Sequence, residues 1–360
     1  MTLKRPPQEV IHSYSQDSAS IEISSLGEGS INDTFLVRTK ERSMVLQRIN
    51  DTVFPNPDIL INNLLHLSHH FTSRSDTTEQ HWEDITLIPT LNGSPSVRDN
   101  EGAVWRALSY IEDSICFSRA ETTFQAEQTG WALGHFHKRL TGLNVKKMEI
   151  PLPGFHDLGN YLKQYDRLNI DTDTKNSAQI SSCHKAITDN REDALYLEKT
   201  YSKSNQQLRI IHADPKIANV LFDIKNSLAI SLIDLDTVGP GLLQHDIGDC
   251  LRSVCNSGGE EGKLDTVAFD LNLCEAALCG YFKASGTLLT LSDKEFIYDG
   301  IKAITYELGL RFFMDYLQGG IYFKCNAPED TLEKALVQFT LLQDIIEKED
   351  SIRSLIIFCN

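Results

Sequence analysis

Between His212 and Asp236 the chain reads HADPKIANVLFDIKNSLAISLIDLD, with Asn219 five residues after Asp214 and Asp234 fifteen residues after Asn219. Two carboxylates and an amide thus sit beside short apolar runs. Phosphoryl transfer from ATP asks for this set. One carboxylate orients the acceptor hydroxyl and takes its proton, and hard oxygen ligands hold Mg²⁺ against the triphosphate. Isolated Asp and Asn residues usually serve turns. The H-x-D-x₄-N spacing, followed by an acid on the next apolar run, favours chemistry instead. Lys216, two residues past Asp214, can reach a transferring phosphoryl group and neutralise charge there. Asp236 follows Asp234 at strand spacing, so it points to the same side and joins the metal or substrate site, with a structural ion pair as the competing role.

Far upstream, LGEGSINDTFLV carries Gly27 and Gly29 between two β-like runs. Backbone without side chains can approach phosphate oxygens and offer them N–H groups. Alone this signal is weak. With the acid and amide loop further along the chain, it describes a kinase.

The elements around these residues follow from periodicity. IEISSLGEGSINDTFLVRTKERSMVLQRIN reads as three antiparallel strands. FPNPDILINNLLHLSHHF reads as one helix, with Asn56 as cap and Pro57 in the first turn. ITLIPTLNGSPSV and GAVWRALSYI add two strands. Helices dominate from about Glu112, interrupted by the island LRIIHADPKIANVLFDIKNSLAISLIDLDTVGPG, which reads as two strands around a polar turn. The polar stretch Asn169 to Arg191 reads as a surface helix or loop. The expected fold is α+β and two-lobed: residues 20–112 form a small antiparallel β lobe with one helix, and residues 113–360 a mainly α lobe.

Composition narrows the function. Lys plus Arg number 34 against 50 Asp plus Glu, a net charge of −16 and the wrong sign for gripping a nucleic-acid backbone. Apolar residues at 41% are enough for a folded core. No apolar run approaches the roughly 18 residues of a membrane span, and Met1 to Val10 lacks a secretory pattern. A cytoplasmic protein without membrane or nucleic-acid partners is expected, its eight cysteines reduced. Cys274 and Cys279 lie about 140° apart around a helix, too divergent for one zinc ion. The histidines His66, His69, His70, His135 and His137 complete no metal motif.

The sequence resembles the aminoglycoside phosphotransferase and choline kinase superfamily, whose fold is like that of protein kinases. The likeness runs roughly from Ile21 to Ile346. Within the superfamily, SMVLQRIN, PGFHDL, HDIGDCLRS and RFFMDYLQGGIYF are most similar to the N-acetylhexosamine 1-kinase branch. The resemblance implies ATP and Mg²⁺ as requirements and the anomeric hydroxyl of a small sugar as acceptor. It makes Asp214 the catalytic base, Asn219 and Asp234 the magnesium ligands, and Gly27 and Gly29 the turn covering the nucleotide. It makes Asp246 the buried acid that braces the catalytic loop, a task His212 shares. The alternatives are a kinase of another small alcohol or amino sugar, or a kinase-fold module that only binds.

One departure concerns the nucleotide. Such kinases place Lys or Arg on the third strand, paired with a Glu on the next helix. Here the strand reads VLQRIN, so Gln47 or Arg48 takes the place according to register, and only one can face the nucleotide. The helix offers Asn62 and Asn63 and no Glu. Asn32 and Thr34 are further candidates for phosphate contacts. For the acceptor, the candidates are His156, Asp157, Arg252, Arg311, Asp315 and Tyr322, each with packing as the competing role. Their arginines favour a neutral or anionic acceptor over a polycation.

Overall fold

The computed structural model describes residues 5–16, 21–27, 31–74, 78–168, 178–201, 208–260, 262–323, 325 and 327–359. Gly29 and residues 169–177 lie outside them.

Alternation in β2 (Asp33–Arg38) and β3 (Ser43–Arg48) sends Phe35, Val37, Met44 and Leu46 to one face of an antiparallel sheet. There they meet Trp105 and Ala107 of β6 (Val104–Ser109). A short helix, α1 (Gln8–His12), closes this face with Val10 and Ile11, in a segment whose composition reads as a polar leader. Strand order is β1-β2-β3-β6-β4, where β1 is Glu22–Ser25 and β4 is Leu87–Ile88, and β5 (Val97–Arg98) also pairs with β6. The other face of the sheet carries Thr34, Gln47 and Arg106 at matched register positions. That face turns to the second lobe.

Helix α2 (Pro57–Thr72) lies between the lobes. Leu60 and Ile61 pack towards Ile49 and Val104, while Leu64, Leu67 and Phe71 join the core of the second lobe. Pro57 stands in its first turn as expected, but Asn56 makes no side-chain capping bond.

The second lobe begins with β7 (Ser114–Ile115) and α3 (Thr123–Arg139), then α4 (Leu158–Arg167), α5 (Ala178–Ala194) and α6 (Tyr196–Tyr201). The β island is four short strands where two were expected: β8 (Arg209–Ile211), β9 (Val220–Asp223), β10 (Ala229–Leu232) and β11 (Gly239–Gly241). They form two small antiparallel pairings, β11-β8 and β10-β9-β7. Breaking the run this way puts Asp214 and Asn219 in the link after β8, and Asp234 and Asp236 in the link after β10. Beyond them come α7 (Leu243–Cys255), α8 (Leu271–Ser285), α9 (Leu291–Glu295), α10 (Ile297–Leu317), α11 (Pro328–Glu347) and α12 (Glu349–Phe358). This is the two-lobed α+β architecture of the kinases. Among the described residues no helix is long and apolar enough to cross a membrane.

The cysteines of α8 face two ways. Cys274 turns inward and is buried beside Cys255. Cys279 faces outward and forms a disulfide with Cys359 at the end of α12, so the expectation that every thiol is reduced is corrected. The physical reason is docking of α12 on α8, which brings the two Cα atoms to 4.8 Å, within the span a disulfide needs.

Helices α3 and α8 approach through glycines. A Cβ on Gly130 would lie 1.9 Å from the carbonyl oxygen of Ala277, and one on Gly280 would lie 2.0 Å from that of Glu127. Backbone on both sides leaves nothing to yield. Gly130→Val is therefore expected to destabilise the protein by about 3 kcal/mol, the upper range for overpacking. Thermal unfolding of the variant checks this, and a melting point within a degree of the parent would contradict it.

Candidate active site

Three backbone positions set the site. Ala213, Asp234 and His156 have positive φ of 70°, 63° and 57°, a conformation that costs a residue with a side chain. Each is held by its surroundings. Asp246 accepts hydrogen bonds from the backbone N–H groups of His212 and Ala213, both 2.7 Å, and pairs with His137 Nε2 at 2.8 Å. His212 Nε2 meets the carbonyl of Ile233 at 2.9 Å, which ties the Asp214 loop to the Asp234 loop. His156 Nε2 meets the carbonyl of Ala213 at 2.8 Å.

Asp214 projects from this brace. Asn219 Nδ2 donates to its backbone oxygen at 2.7 Å and to Oδ2 at 3.0 Å, which leaves Asn219 Oδ1 available as a ligand oxygen. Lys216 Nζ lies 3.1 Å from the same Oδ2. Its pKa is raised, first by Asp214 and further by Glu260 and Asp234, so it stays charged among the acids. Asp234 is solvent-exposed on one side and crowded by Asp236 and Asp214 on the other. Loss of water, then the charges of Asp236 and Asp214, push its carboxyl up to about 7.

Such crowding of hard oxygen donors, only partly offset by Lys216 and Arg106, fits a divalent cation. Among the described residues no three His, Cys, Asp or Glu side chains form a self-sufficient metal cage. A sparse donor set suits Mg²⁺, which commonly takes one or two carboxylates plus substrate phosphates. Asp236 differs from Asp234. Its Oδ1 receives Arg106 and its Oδ2 receives Asn32 Nδ2 at 2.5 Å, so both oxygens already accept donors from the first lobe.

On the first lobe, Gln47 faces the cleft. Its Oε1 accepts from Arg106 Nε at 3.0 Å and Nη2 at 2.8 Å, and its Nε2 donates to Thr34 Oγ1 at 3.2 Å. Arg48 points to the opposite face and pairs with Asp33 at 3.7 Å. Gly27 ends the described part of the glycine turn with φ 69°, where any side chain would be strained. Of the two asparagines on α2, Asn63 is the buried one. Its Nδ2 donates to the carbonyls of Glu149 and Val238 at 2.8 and 3.0 Å, anchoring α2 beside the Asp234–Asp236 loop.

The acceptor candidates divide. His156 Nδ1 lies 3.1 Å from Glu307 Oε1, and Arg311 lies 3.8 Å from the same oxygen. The Arg311 guanidinium is stacked within 4.9–5.8 Å of the ring centres of Phe155, Tyr161, Tyr322 and Phe323. His156, Arg311 and Tyr322 are thus brought together, one residue from Asp214 through Ala213. The other three are spent elsewhere. Asp157 caps α4 through Asn160 N–H at 2.9 Å. Asp315 receives the N–H groups of Ile321, Tyr322 and Phe323 and so shapes the loop carrying Tyr322. Arg252, fully buried, binds Asp249 and Glu260, each at 2.8 Å. The charge of Glu260 in turn helps to keep Lys216 protonated.

Residues 22–278 match the model of the phosphotransferase enzyme family, well over half of the chain. The chain belongs to that family. Solved structures similar to this phosphotransferase include a microcompartment-associated aminopropanol kinase, with TM-score 0.64 and 16% identity over 96% of this chain and 97% of the other. A spectinomycin phosphotransferase, solved with ADP and spectinomycin, gives 0.58 and 14% over 96% and 100%. Plasmodium vivax ethanolamine kinase gives 0.58 and 12% over 89% and 82%. At these identities the likeness is one of fold.

Arg106, Glu307 and Tyr161 are among the candidate-site residues that sequence reading missed. Glu307 was signalled by its place four residues before Arg311 on a helix, where the two must be neighbours. Arg106 had no such signal, since VWRALS reads as an ordinary strand and only register sets Arg106 opposite Gln47.

Proposed function

We propose that this phosphotransferase moves the γ-phosphoryl group of ATP to the anomeric hydroxyl of an N-acetylhexosamine, giving the sugar 1-phosphate and ADP. The hydroxyl oxygen forms the new P–O bond as the bond to the β-phosphate oxygen breaks, and the hydroxyl proton leaves to Asp214. The observation that carries the kinase step is the convergence of Asp214, Lys216, Asn219 and Asp234.

Asp214 orients and deprotonates the acceptor. In a loose transition state positioning counts for more than proton affinity. Asn219 and Asp234 would hold Mg²⁺, which when bound gathers the phosphates and neutralises their charge. Lys216, 3.1 Å from Asp214, would stabilise charge as it develops on the phosphoryl group. The sugar reading rests on the Arg311 cluster. Stacked rings and a fixed guanidinium supply flat apolar faces and a charged donor near the base, and His156, whose ring nitrogens are taken by Glu307 and the carbonyl of Ala213, holds that cluster against the Asp214 loop. A site of that kind rejects analogues whose own groups leave its donors unpaired.

A second reading is favoured by one observation. Asp249 has a buried Oδ2 with no hydrogen-bond partner among the described residues, and the charge of Asp214 is felt there. An unsatisfied buried carboxylate suits an ammonium, as in an amino alcohol. ADP release should be measured across N-acetylhexosamines, free hexosamines, aminoglycosides, choline and short amino alcohols. The expected result is the highest kcat/KM for an N-acetylhexosamine, and an amino alcohol leading the panel would replace the sugar reading with the second.

A further inference from the structure

The third strand of this chain has lost the cation that would hold the nucleotide's phosphates, because Gln47 faces the cleft and Arg48 is turned away to Asp33. Directly opposite Gln47, on the neighbouring strand β6, stands Arg106. Its side chain is 1% exposed. Nε and Nη2 are taken by Gln47 Oε1 and Nη2 also by Asp236, whereas Nη1 is buried with no hydrogen-bond partner among the described residues. A buried guanidinium with an unused nitrogen is costly, since each unsatisfied charged donor forfeits its hydration. A phosphate oxygen in the cleft would complete it.

We propose that Arg106 is the phosphate-holding cation of the nucleotide site, moved one strand across from its usual place, with Gln47 as the strut that fixes its plane. This rests on the kinase reading above. Simple neutralisation of Asp236 would need one contact and no strut. Instead Gln47 accepts two donors from the guanidinium and passes its own N–H to Thr34, just past the glycine turn. A continuous polar chain therefore runs from Thr34 through Gln47 and Arg106 to Asp236, two residues from Asp234. Nη1 is the unpaired donor at its centre. Arginine suits the task because its fork can serve Gln47, Asp236 and a phosphate oxygen at once, which a lysine ammonium in that position could not do in fixed geometry.

The test compares ADP with adenosine, both titrated calorimetrically without divalent metal, so that only phosphate contacts distinguish them. Arg106→Gln is expected to weaken ADP about 10- to 100-fold, the worth of a charge-assisted hydrogen bond, and to leave adenosine unchanged. The double variant Gln47→Lys with Arg106→Gln returns the cation to the third strand and is expected to recover most of the ADP affinity. If Arg106→Gln does not fold, Arg106→Lys replaces it and must weaken ADP more than adenosine. An unchanged ratio of ADP to adenosine affinity in the variant that folds would overturn the proposal and leave Arg106 a purely structural partner of Asp236. Failure of the parent protein to bind ADP or ATP at all would instead sink the kinase reading.

Discussion

Replacing Asp214 by asparagine is expected to lower turnover about a hundred- to ten-thousand-fold, the usual worth of a positioned general base, with ATP bound nearly as tightly as before. The split follows from geometry. Asp214 meets Lys216 and Asn219 through one carboxylate oxygen, Oδ2, and among the described residues no hydrogen bond or ion pair ties it to the first lobe. Asparagine keeps the size and one acceptor oxygen, so Asn219 and the loop stay in place. What it loses is the ability to take a proton, an interaction made only as the reaction proceeds. That predicts a fall in kcat with little change in the affinity for ATP. Turnover equal to the parent's would remove Asp214 from its role.

The second large effect belongs to Asp246, 0% exposed. Asp246→Ala leaves the N–H groups of His212 and Ala213 and the ring of His137 without their acceptor. Breaking a buried charged hub of this kind costs about 3–5 kcal/mol. Ala213, with its positive φ, then loses the bond that holds it, and the backbone carrying Asp214 relaxes. Loss of activity should accompany the loss of stability, both read from denaturant unfolding and a turnover assay. There is a pH signature as well. Burial alone would raise the pKa of Asp246, but His137, His212 and the backbone donors bring it below the ordinary 3.8. A group with a depressed folded pKa stabilises fully above its unfolded value and loses that contribution as pH falls through the folded one. The deficit of the variant should therefore shrink as the pH falls below about 4. A deficit that grows in acid would contradict this account of Asp246.

Much of this site is legible in the amino-acid sequence, because it is written in short-range spacing. Asp214, Lys216, Asn219 and Asp234 lie within one stretch of chain, and apolar runs on either side announce the strands that carry them. Long-range pairing is less accessible. Nothing in VLQRIN or VWRALS says that Gln47 faces Arg106, because register between strands is set by the whole sheet. Asp315 and Arg252 illustrate the converse. Their residue types suit a sugar, but the loop at 321–323 and the acids Asp249 and Glu260 claim their donors and acceptors first. The disulfide of Cys279 escapes sequence reading for a similar reason, since its partner comes from a helix eighty residues away.

The central claim is that three side chains and a lysine, gathered in one cleft, pass a phosphoryl group from a nucleotide to an alcohol. Phosphorus-31 NMR of the protein with ATP, magnesium and the acceptor panel tests it most directly. The account predicts that the γ-phosphorus signal of ATP gives way to one new phosphate ester, mole for mole with ADP, and that Asp214→Asn abolishes the conversion on the same timescale. ATP left intact with every acceptor, or conversion undiminished in the variant, would contradict it.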